Sequence, residues 1–539
     1  MLKRLRPHIY LALTFFTLTL GQQYAFYAYK GLPIEFFTPG KYLVIFLFFL
    51  VLTFVKGNTT RFLCLSLIMI LNFFQMGHLS YFGTQILPTE YWFVLTQFYE
   101  IRGTLKEDLS HVYIPLLFTL LPLAMAHFVY KKARPVYGHR IMVMLLGLYL
   151  IYNPIRTYIT GNTWGRQPST RELTGMNLYL TFSYFLGRIL PHKLSAEGAQ
   201  SSDNSSLQLK LEKGEPSNWD KIIIIIGESL TPRHMGLFGY ERPTTPFLDG
   251  LKNDPSFFAT KGLSGGVSTD ISVAYFLNLG FGGAGAIKTA KGEQCLFKLA
   301  KQGAFNTHFL SIQSSDQLRY ITPYLCSSSL DDYRSLEDIS PGTQDHQAAR
   351  DRDLLNALAP LLEGPSKKLI VLHQRGSHSP WNLRHTADSK RFKGAADQRV
   401  DDYDNSVLEF DFFWKDLTAL IKRSQQRILV LYTSDHGEAL GDEGRWGHGF
   451  IHPISFEVPI LALSHGSHLP HVLTKMPKYM THFNLGILIA EELGLKSSFP
   501  VEQLPSDYEI YGNDIDGFAG KALIKWGQDQ SEYTFDYLP

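Results

Sequence analysis

Lys221-Ile222-Ile223-Ile224-Ile225-Ile226-Gly227-Glu228-Ser229 is the stretch that decides the fold. Five consecutive β-branched residues closed by a glycine read as a strand buried on both faces, the habit of a parallel sheet covered by helices. Two further runs share the pattern, Lys368-Leu369-Ile370-Val371-Leu372 and Arg427-Ile428-Leu429-Val430-Leu431-Tyr432. Helical patterns lie between and around them, at 353–362 and 407–421. Strands alternating with helices imply an α/β domain with a mainly parallel sheet and helices on both faces. Each strand is followed at once by residues able to hold a metal or a phosphate: Glu228, then His373 and His378, then Asp435 and His436. Ligands of open α/β sheets bind beyond the carboxyl ends of the strands. The three turns would therefore gather carboxylates and imidazoles at one edge, a donor set that suits Zn²⁺. Singly, each has a plainer explanation: Glu228 and Asp435 could cap helices, and His378 and His448 could be ordinary surface histidines. Their joint occurrence is what points to a site.

The 539-residue chain changes character on the N-terminal side of this domain. Residues 9–29 and 112–130 are apolar runs long enough to cross a bilayer as helices. Shorter runs at 42–55, 62–76 and 141–152 can be extended by tilt and snorkelling ends, giving a bundle of about five spans. Lys3, Arg4 and Arg6, then Lys56 and Arg61, then Lys131, Lys132, Arg134 and Arg140 share one side of a five-span arrangement. Basic loops stay cytoplasmic, so the C-terminal domain falls outside. The first run lacks a cleavage site and reads as an anchor. Two outer segments have interfacial character and could hold a lipid or simply anchor in the aromatic belt: 77–111, with Tyr91, Trp92, Phe93, Phe98 and Tyr99, and 176–190, followed by His192. The polar stretch 195–220 reads as a linker. Lys+Arg 51 against Asp+Glu 49, net +2, gives no case for a nucleic-acid partner. Of three cysteines, Cys64 falls in an apolar run; Cys295 and Cys326 could pair outside the cell or remain thiols.

Several stretches together carry a resemblance. Gly227-Glu228-Ser229 is followed by Arg233-His234 and by Gly239-Tyr240-Glu241-Arg242-Pro243-Thr244-Thr245-Pro246-Phe247-Leu248. Gly376-Ser377-His378-Ser379-Pro380 and Asp402-Tyr403-Asp404-Asn405-Ser406 come next. Ser434-Asp435-His436-Gly437-Glu438-Ala439-Leu440-Gly441 and His448-Gly449 complete the set. This resembles the bacterial phosphoethanolamine transferases of the alkaline phosphatase superfamily, among them the lipid A modifying enzymes linked to polymyxin resistance. The resemblance implies an anchor at 1–157, a juxtamembrane and linker segment at 158–218, and a periplasmic, alkaline phosphatase-like domain at 219–539 on a bacterial inner membrane. It also implies that Thr269, within Gly265-Gly266-Val267-Ser268-Thr269-Asp270-Ile271-Ser272-Val273, is the nucleophile. The two glycines would allow a tight turn, and a helix N-terminus favours negative charge there. The plain alternative is that Thr269 or Ser268 caps a helix. Two departures separate the chain from the lipid A enzymes. The cysteine pair flanking their nucleophile is replaced by Gly265 and Tyr275, and of a later cysteine-rich segment only Cys326 remains.

The expected chemistry follows from that resemblance. Glu228, Asp435 and His436 would bind Zn²⁺ with Thr269 in the open position, one ion being expected and a second possible. The threonine alkoxide would attack phosphatidylethanolamine, release diacylglycerol and form a phosphoethanolamine-threonine intermediate. Lipid A, lipopolysaccharide core or an envelope glycan would then accept the group. His378, His448 and Arg319 are the substrate-binding candidates. The rival readings are a phosphoglycerol transferase using phosphatidylglycerol, a sulfatase acting through Ser272, and a retired lipid-sensing scaffold.

Overall fold

The structure is a computed structural model that describes residues 2–96, 110–132, 138–161, 172–194, 209–280, 289, 292–342, 349–514 and 516–538. Residues 195–208 of the expected 195–220 linker, with Arg134, Phe98 and Tyr99, lie outside the described residues; the rest of it is packed into the α/β unit, where Leu211–Lys213 pairs antiparallel with Leu495–Ser497 and Trp219 is buried. The chain divides into two units, Met1–Gly198 and Ala199–Pro539.

In the first unit, helices occupy all five expected positions: Leu2–Lys30, Pro39–Leu52, Asn58–Phe82, Ser110–Lys132 and Arg140–Thr160. Among the described residues, three helical stretches are long and apolar enough to cross a membrane: Asn58–Phe82, Val112–Lys132 and Arg140–Thr160. Pro39–Leu52 has only 14 residues. The apolar run of Leu2–Lys30 is broken by Gln22 and Gln23, which are buried and bonded outside their own helix, Gln23 to Glu172 and Thr174. The Gln22 amide donates to Met69 C=O at 3.1 Å and Thr119 Oγ1 at 2.9 Å, and accepts from Asn72 Nδ2 at 3.0 Å. Interhelical polar contacts of this kind hold apolar bundles together where burial in a lipid-like solvent gives no drive. Outward, Ile141, Met144, Leu148, Ile151, Ile155 and Ile159 leave one helix with an exposed apolar face, a surface that water does not tolerate at this extent. The segment expected at 176–190 runs as Thr174–Tyr184, Phe185–Ile189 and Leu190–Leu194, and it is packed into the bundle. Gly175 sits so tightly on the Asn58–Phe82 helix that a Cβ there would meet Ile68 O at 2.6 Å. Tyr91 closes this corner, its hydroxyl donating to Leu178 C=O at 3.0 Å.

The second unit is built on an eight-stranded sheet. Along the chain its strands are β1 Lys221–Gly227, β2 Phe257–Leu263, β3 Asn306–Ser311, β4 Asp332–Arg334, β5 Lys368–His373, β6 Ile428–Ser434, β7 Glu457–His465 and β8 Tyr479–Thr481. Their spatial order is β8-β2-β7-β6-β1-β5-β3-β4, and only β7 runs against its neighbours. The isoleucine run is central and splits by parity. Ile222, Ile224 and Ile226 join one core with Leu369, Val371, Leu429 and Leu431. Ile223 and Ile225 join the other with Ile370, Leu372, Ile428 and Val430. Every isoleucine is at most 1% exposed, each contributing about 2 kcal/mol of burial. That parity requires cover on both faces, and β1, β5 and β6 run parallel in register, so their carboxyl ends share one edge. A three-stranded antiparallel sheet, Glu509–Tyr511, Lys521–Trp526 and Tyr533–Leu538, ends the chain. Cys295 and Cys326 form a disulfide with Cα atoms 6.6 Å apart, while Cys64 is free.

Candidate metal centre and active site

Glu228 emerges from β1, and Asp435 and His436 from β6, all three at most 1% exposed. Between β2 and the helix Thr269–Leu277 the chain turns back over this edge and brings Thr269 to the carboxylates. The Thr269 hydroxyl donates to Glu228 Oε2 at 3.1 Å and lies 3.4 Å from His436 Nε2. His436 Nε2 is 3.3 Å from both Glu228 Oε1 and Asp435 Oδ2. Neither Ser268 nor Thr269 caps the helix through its side chain; Ser268 Oγ donates to Asp270 at 2.8 Å. Thr269 is part-exposed, so a substrate can reach it.

The remaining bonds of these groups aim their free valences inward. His436 Nδ1 donates to Gly437 C=O at 2.9 Å, so the neutral ring carries its lone pair on Nε2, facing the carboxylates. Asp435 Oδ1 accepts from Ser229 N–H at 3.0 Å and His436 N–H at 2.7 Å, whereas buried Oδ2 has no hydrogen-bond partner. Ligand atoms of Glu228, Asp435 and His436 all lie within 4.8 Å of one another. An orphaned carboxylate oxygen beside a free imidazole lone pair fits a divalent cation with an open position toward Thr269. The electrostatics agree. Burial, with Glu228 adding, pushes Asp435 up to about 7. Burial would lower His436, but the Asp435 and Glu228 carboxylates hold it up at about 10. Without a metal, the proton on His436 is the charge that balances the site.

The surrounding residues hold this geometry, and apart from His448 sequence reading assigned them no role. Gln313, nearly buried, donates its amide to Glu228 Oε2 at 3.2 Å and Gln374 C=O at 3.1 Å. The Tyr403 hydroxyl accepts from Thr231 N–H at 2.9 Å and donates to Ser229 C=O at 2.8 Å, clamping the turn after β1. Ser229 is held at φ 57°, a conformation a non-glycine residue adopts at a cost of about 1–2 kcal/mol. Gly376, at φ 54°, lets the turn after β5 lie on Glu228, whose backbone O would be 2.5 Å from an added Cβ. Glu438, 1% exposed, holds His448 Nδ1 at 2.8 Å. Glu438 and Tyr403 fall inside stretches that carry the resemblance, which marks them without giving them a role; Gln313 has no spacing signal.

Of the substrate-binding candidates, two meet the site. The His448 ring lies 3.9 Å from that of His436 and 6.1 Å from that of His378, centroid to centroid. His436, Glu438 and His448 form a second group able to hold a cation. Arg319 is exposed, its guanidinium over the Tyr320 ring, and is not part of the buried cluster. It follows the short helix Ser315–Leu318, whose direction could not be judged from sequence. Ser272, the sulfatase-type candidate, is wholly buried and donates to Asp435 C=O, out of reach of a substrate.

The Sulfatase family matches residues 220–494. A Kdo(2)-lipid A phosphoethanolamine 7''-transferase of Salmonella typhimurium is 29% identical over 352 residues, covering 59% of this chain and 59% of that protein. Phosphoethanolamine transferase EptC of Escherichia coli K12 is 26% identical over 380 residues, covering 65% and 64%. The chain thus spans about three fifths of the length of the curated relatives it matches. Among solved structures, the integral membrane lipooligosaccharide phosphoethanolamine transferase A of Neisseria meningitidis has a TM-score of 0.57 at 18% identity, covering 91% of this chain and 96% of that one. The fold, apolar helices followed by an α/β domain, is shared along nearly the whole chain.

Proposed function

The chain belongs to the sulfatase family, and on that premise we propose that it is a zinc-dependent transferase moving phosphoethanolamine from phosphatidylethanolamine to an envelope acceptor. The observation that carries the reading is the hydroxyl of Thr269 set 3.1 Å from Glu228 and 3.4 Å from His436, beside the unpartnered oxygen of Asp435. Glu228, Asp435 and Nε2 of His436 would hold the ion. When bound, zinc lowers the pKa of a neighbouring hydroxyl and stabilises charge on phosphoryl oxygens.

The chain's own residues then do the following. The part-exposed Thr269 hydroxyl gives its proton to water. Its oxygen bonds to phosphorus while the bond from phosphorus to the glycerol oxygen breaks; that oxygen takes up a proton and leaves in diacylglycerol. An acceptor oxygen next displaces Thr269 from phosphorus, and the acceptor's proton returns to the threonine. His378 and His448 would hydrogen-bond the phosphoryl oxygens or recruit a second zinc, a role for which the grouping of His448 with Glu438 and His436 gives support. A threonine helped by one base alone falls short of the roughly 20 kcal/mol such phosphate esters demand.

The relatives' names support a phosphoethanolamine cargo and a lipid A acceptor; lipopolysaccharide core and envelope glycans are acceptors of the same chemistry. The exposed apolar helices support anchoring of 1–157 in the inner membrane, with 158–218 as juxtamembrane segment and linker. The Cys295–Cys326 disulfide supports a periplasmic place for 219–539, since such bonds persist in oxidising compartments. Full-length protein given head-group-labelled phosphatidylethanolamine or phosphatidylglycerol vesicles decides the donor. Label transfer from the first, abolished by Thr269→Ala, is the expected result; transfer from the second alone would make the chain a phosphoglycerol transferase.

A further inference from the structure

The small C-terminal sheet lies beyond the residues that the family matches, yet its first strand grips the loop that delivers Thr269. Tyr511 N–H donates to Gly265 C=O at 3.1 Å, and Val267 N–H donates to Tyr511 C=O at 3.1 Å. Together they make a parallel bridge between Gly266 and Tyr511. The Tyr511 side chain reaches past the nucleophile: its ring packs on Tyr275 at 5.0 Å between centroids, and Ile271, Tyr275 and Tyr511 form a separate buried cluster. One residue therefore holds the chain on both sides of Thr269, by its backbone before the nucleophile and by its ring after it. The neighbouring Tyr508 hydroxyl donates to Leu263 C=O at 3.2 Å, where β2 feeds into the loop.

The loop has no slack of its own. A Cβ on Gly266 would lie 2.7 Å from Ile271 Cγ2, and one on Gly265 would lie 3.1 Å from Tyr275 Cβ. The two glycines thus serve close approach to the helix; neither has a positive φ. Gly449 N–H also donates to Val267 C=O at 2.9 Å, so the same loop carries the His448 segment. A shift of the loop would move the hydroxyl and His448 together.

We propose that Tyr511 is a positioning residue for Thr269, and that the C-terminal sheet is the brace that fixes the nucleophile against Glu228 and His436. The proposal rests on the reading of Thr269 as nucleophile. The test uses the full-length, zinc-loaded protein in detergent, with fluorescent phosphatidylethanolamine as probe and release of labelled diacylglycerol as signal. Tyr511→Phe keeps the ring and should stay within about twofold of wild type. Tyr511→Ala should lower kcat by about tenfold or more, with KM and zinc content within about twofold, because ångström-scale misplacement is costly to rate and not to binding. Hydrogen exchange should speed up at 265–272 and stay unchanged at 221–227. A covalent tie provides rescue: Gly265→Cys with Tyr275→Cys, whose Cβ atoms approach disulfide spacing, added to Tyr511→Ala, should recover kcat when oxidised. It should lose it again on reduction, under conditions that leave wild type active. Unchanged kcat and unchanged exchange at 265–272 in Tyr511→Ala would overturn the proposal. So would a loss of kcat matched by loss of zinc and not recovered by the tie. If Thr269→Ala were active, or if wild type released no diacylglycerol, the functional reading would fall, and the exchange data would still decide whether Tyr511 braces the loop.

Discussion

Glu228, Asp435 and His436 were legible because each directly follows a buried strand, and parallel strands bring their ends together. Thr269 was legible only through resemblance, since a threonine at a helix start looks like a cap until its oxygen is seen turned toward Glu228. Gln313 was illegible, and Tyr403 was marked only as part of a resembling stretch: the bonds they make depend on three-dimensional closeness and leave no period in the chain. The residues at the centre also predict a pH dependence. In the metal-free protein His436 is raised to about 10 and Asp435 to about 7. The raised His436 contributes stability that is complete below its unfolded value near 6.5 and is lost as pH rises toward 10. The raised Asp435 favours the folded state while it is protonated, so its contribution declines between pH 4 and 7. On the proposed zinc reading, the ion would have to displace these protons, at about 1.4 kcal/mol per pH unit for each. The gain in Tm on adding zinc should therefore widen from pH 5.5 to pH 8, measured by calorimetry. An equal gain at both would contradict the assigned ligands.

At the scale of elements, the three strands with unbroken apolar runs were readable, and their neighbours were not. β7 contains Pro459, which argues against a central strand, yet it sits between β2 and β6. The helix expected over 407–421 begins at Gln398. Its first turns bury Asp401, Asp404 and Asn405, whose partners include Arg242, His234 and the backbone of Arg391, so the apolar period is missing there. That polar start carries Tyr403 to the turn beside Glu228. Tyr403→Phe should leave a buried N–H and a buried C=O unpaired, at a cost of about 2–3 kcal/mol. The expected readout is a Tm lower by a few degrees together with weaker zinc binding. Normal zinc affinity would show that the helix only supports the fold.

Over the whole molecule, composition separated an apolar first third from an α/β remainder, and the structure gives two units, Met1–Gly198 and Ala199–Pro539. The number of spans was less readable, because Gln22 and Gln23 interrupt an apolar helix for reasons that only their partners on other helices reveal. On the proposed membrane reading, the basic segments at 3–6 and 131–132 would keep those helix ends in the cytoplasm. Protease added to intact spheroplasts should accordingly digest 219–539 without lysis. Protection of that domain until lysis would reverse the orientation and separate it from any periplasmic acceptor.

One measurement bears most directly on the claim that Glu228, Asp435 and His436 arm Thr269. Full-length, zinc-loaded protein is incubated with phosphatidylethanolamine vesicles in the absence of acceptor, and its peptides are analysed by mass spectrometry. The account predicts one phosphoethanolamine group on Thr269, absent when zinc is chelated. The same group on another residue, or on Thr269 regardless of zinc, would contradict it.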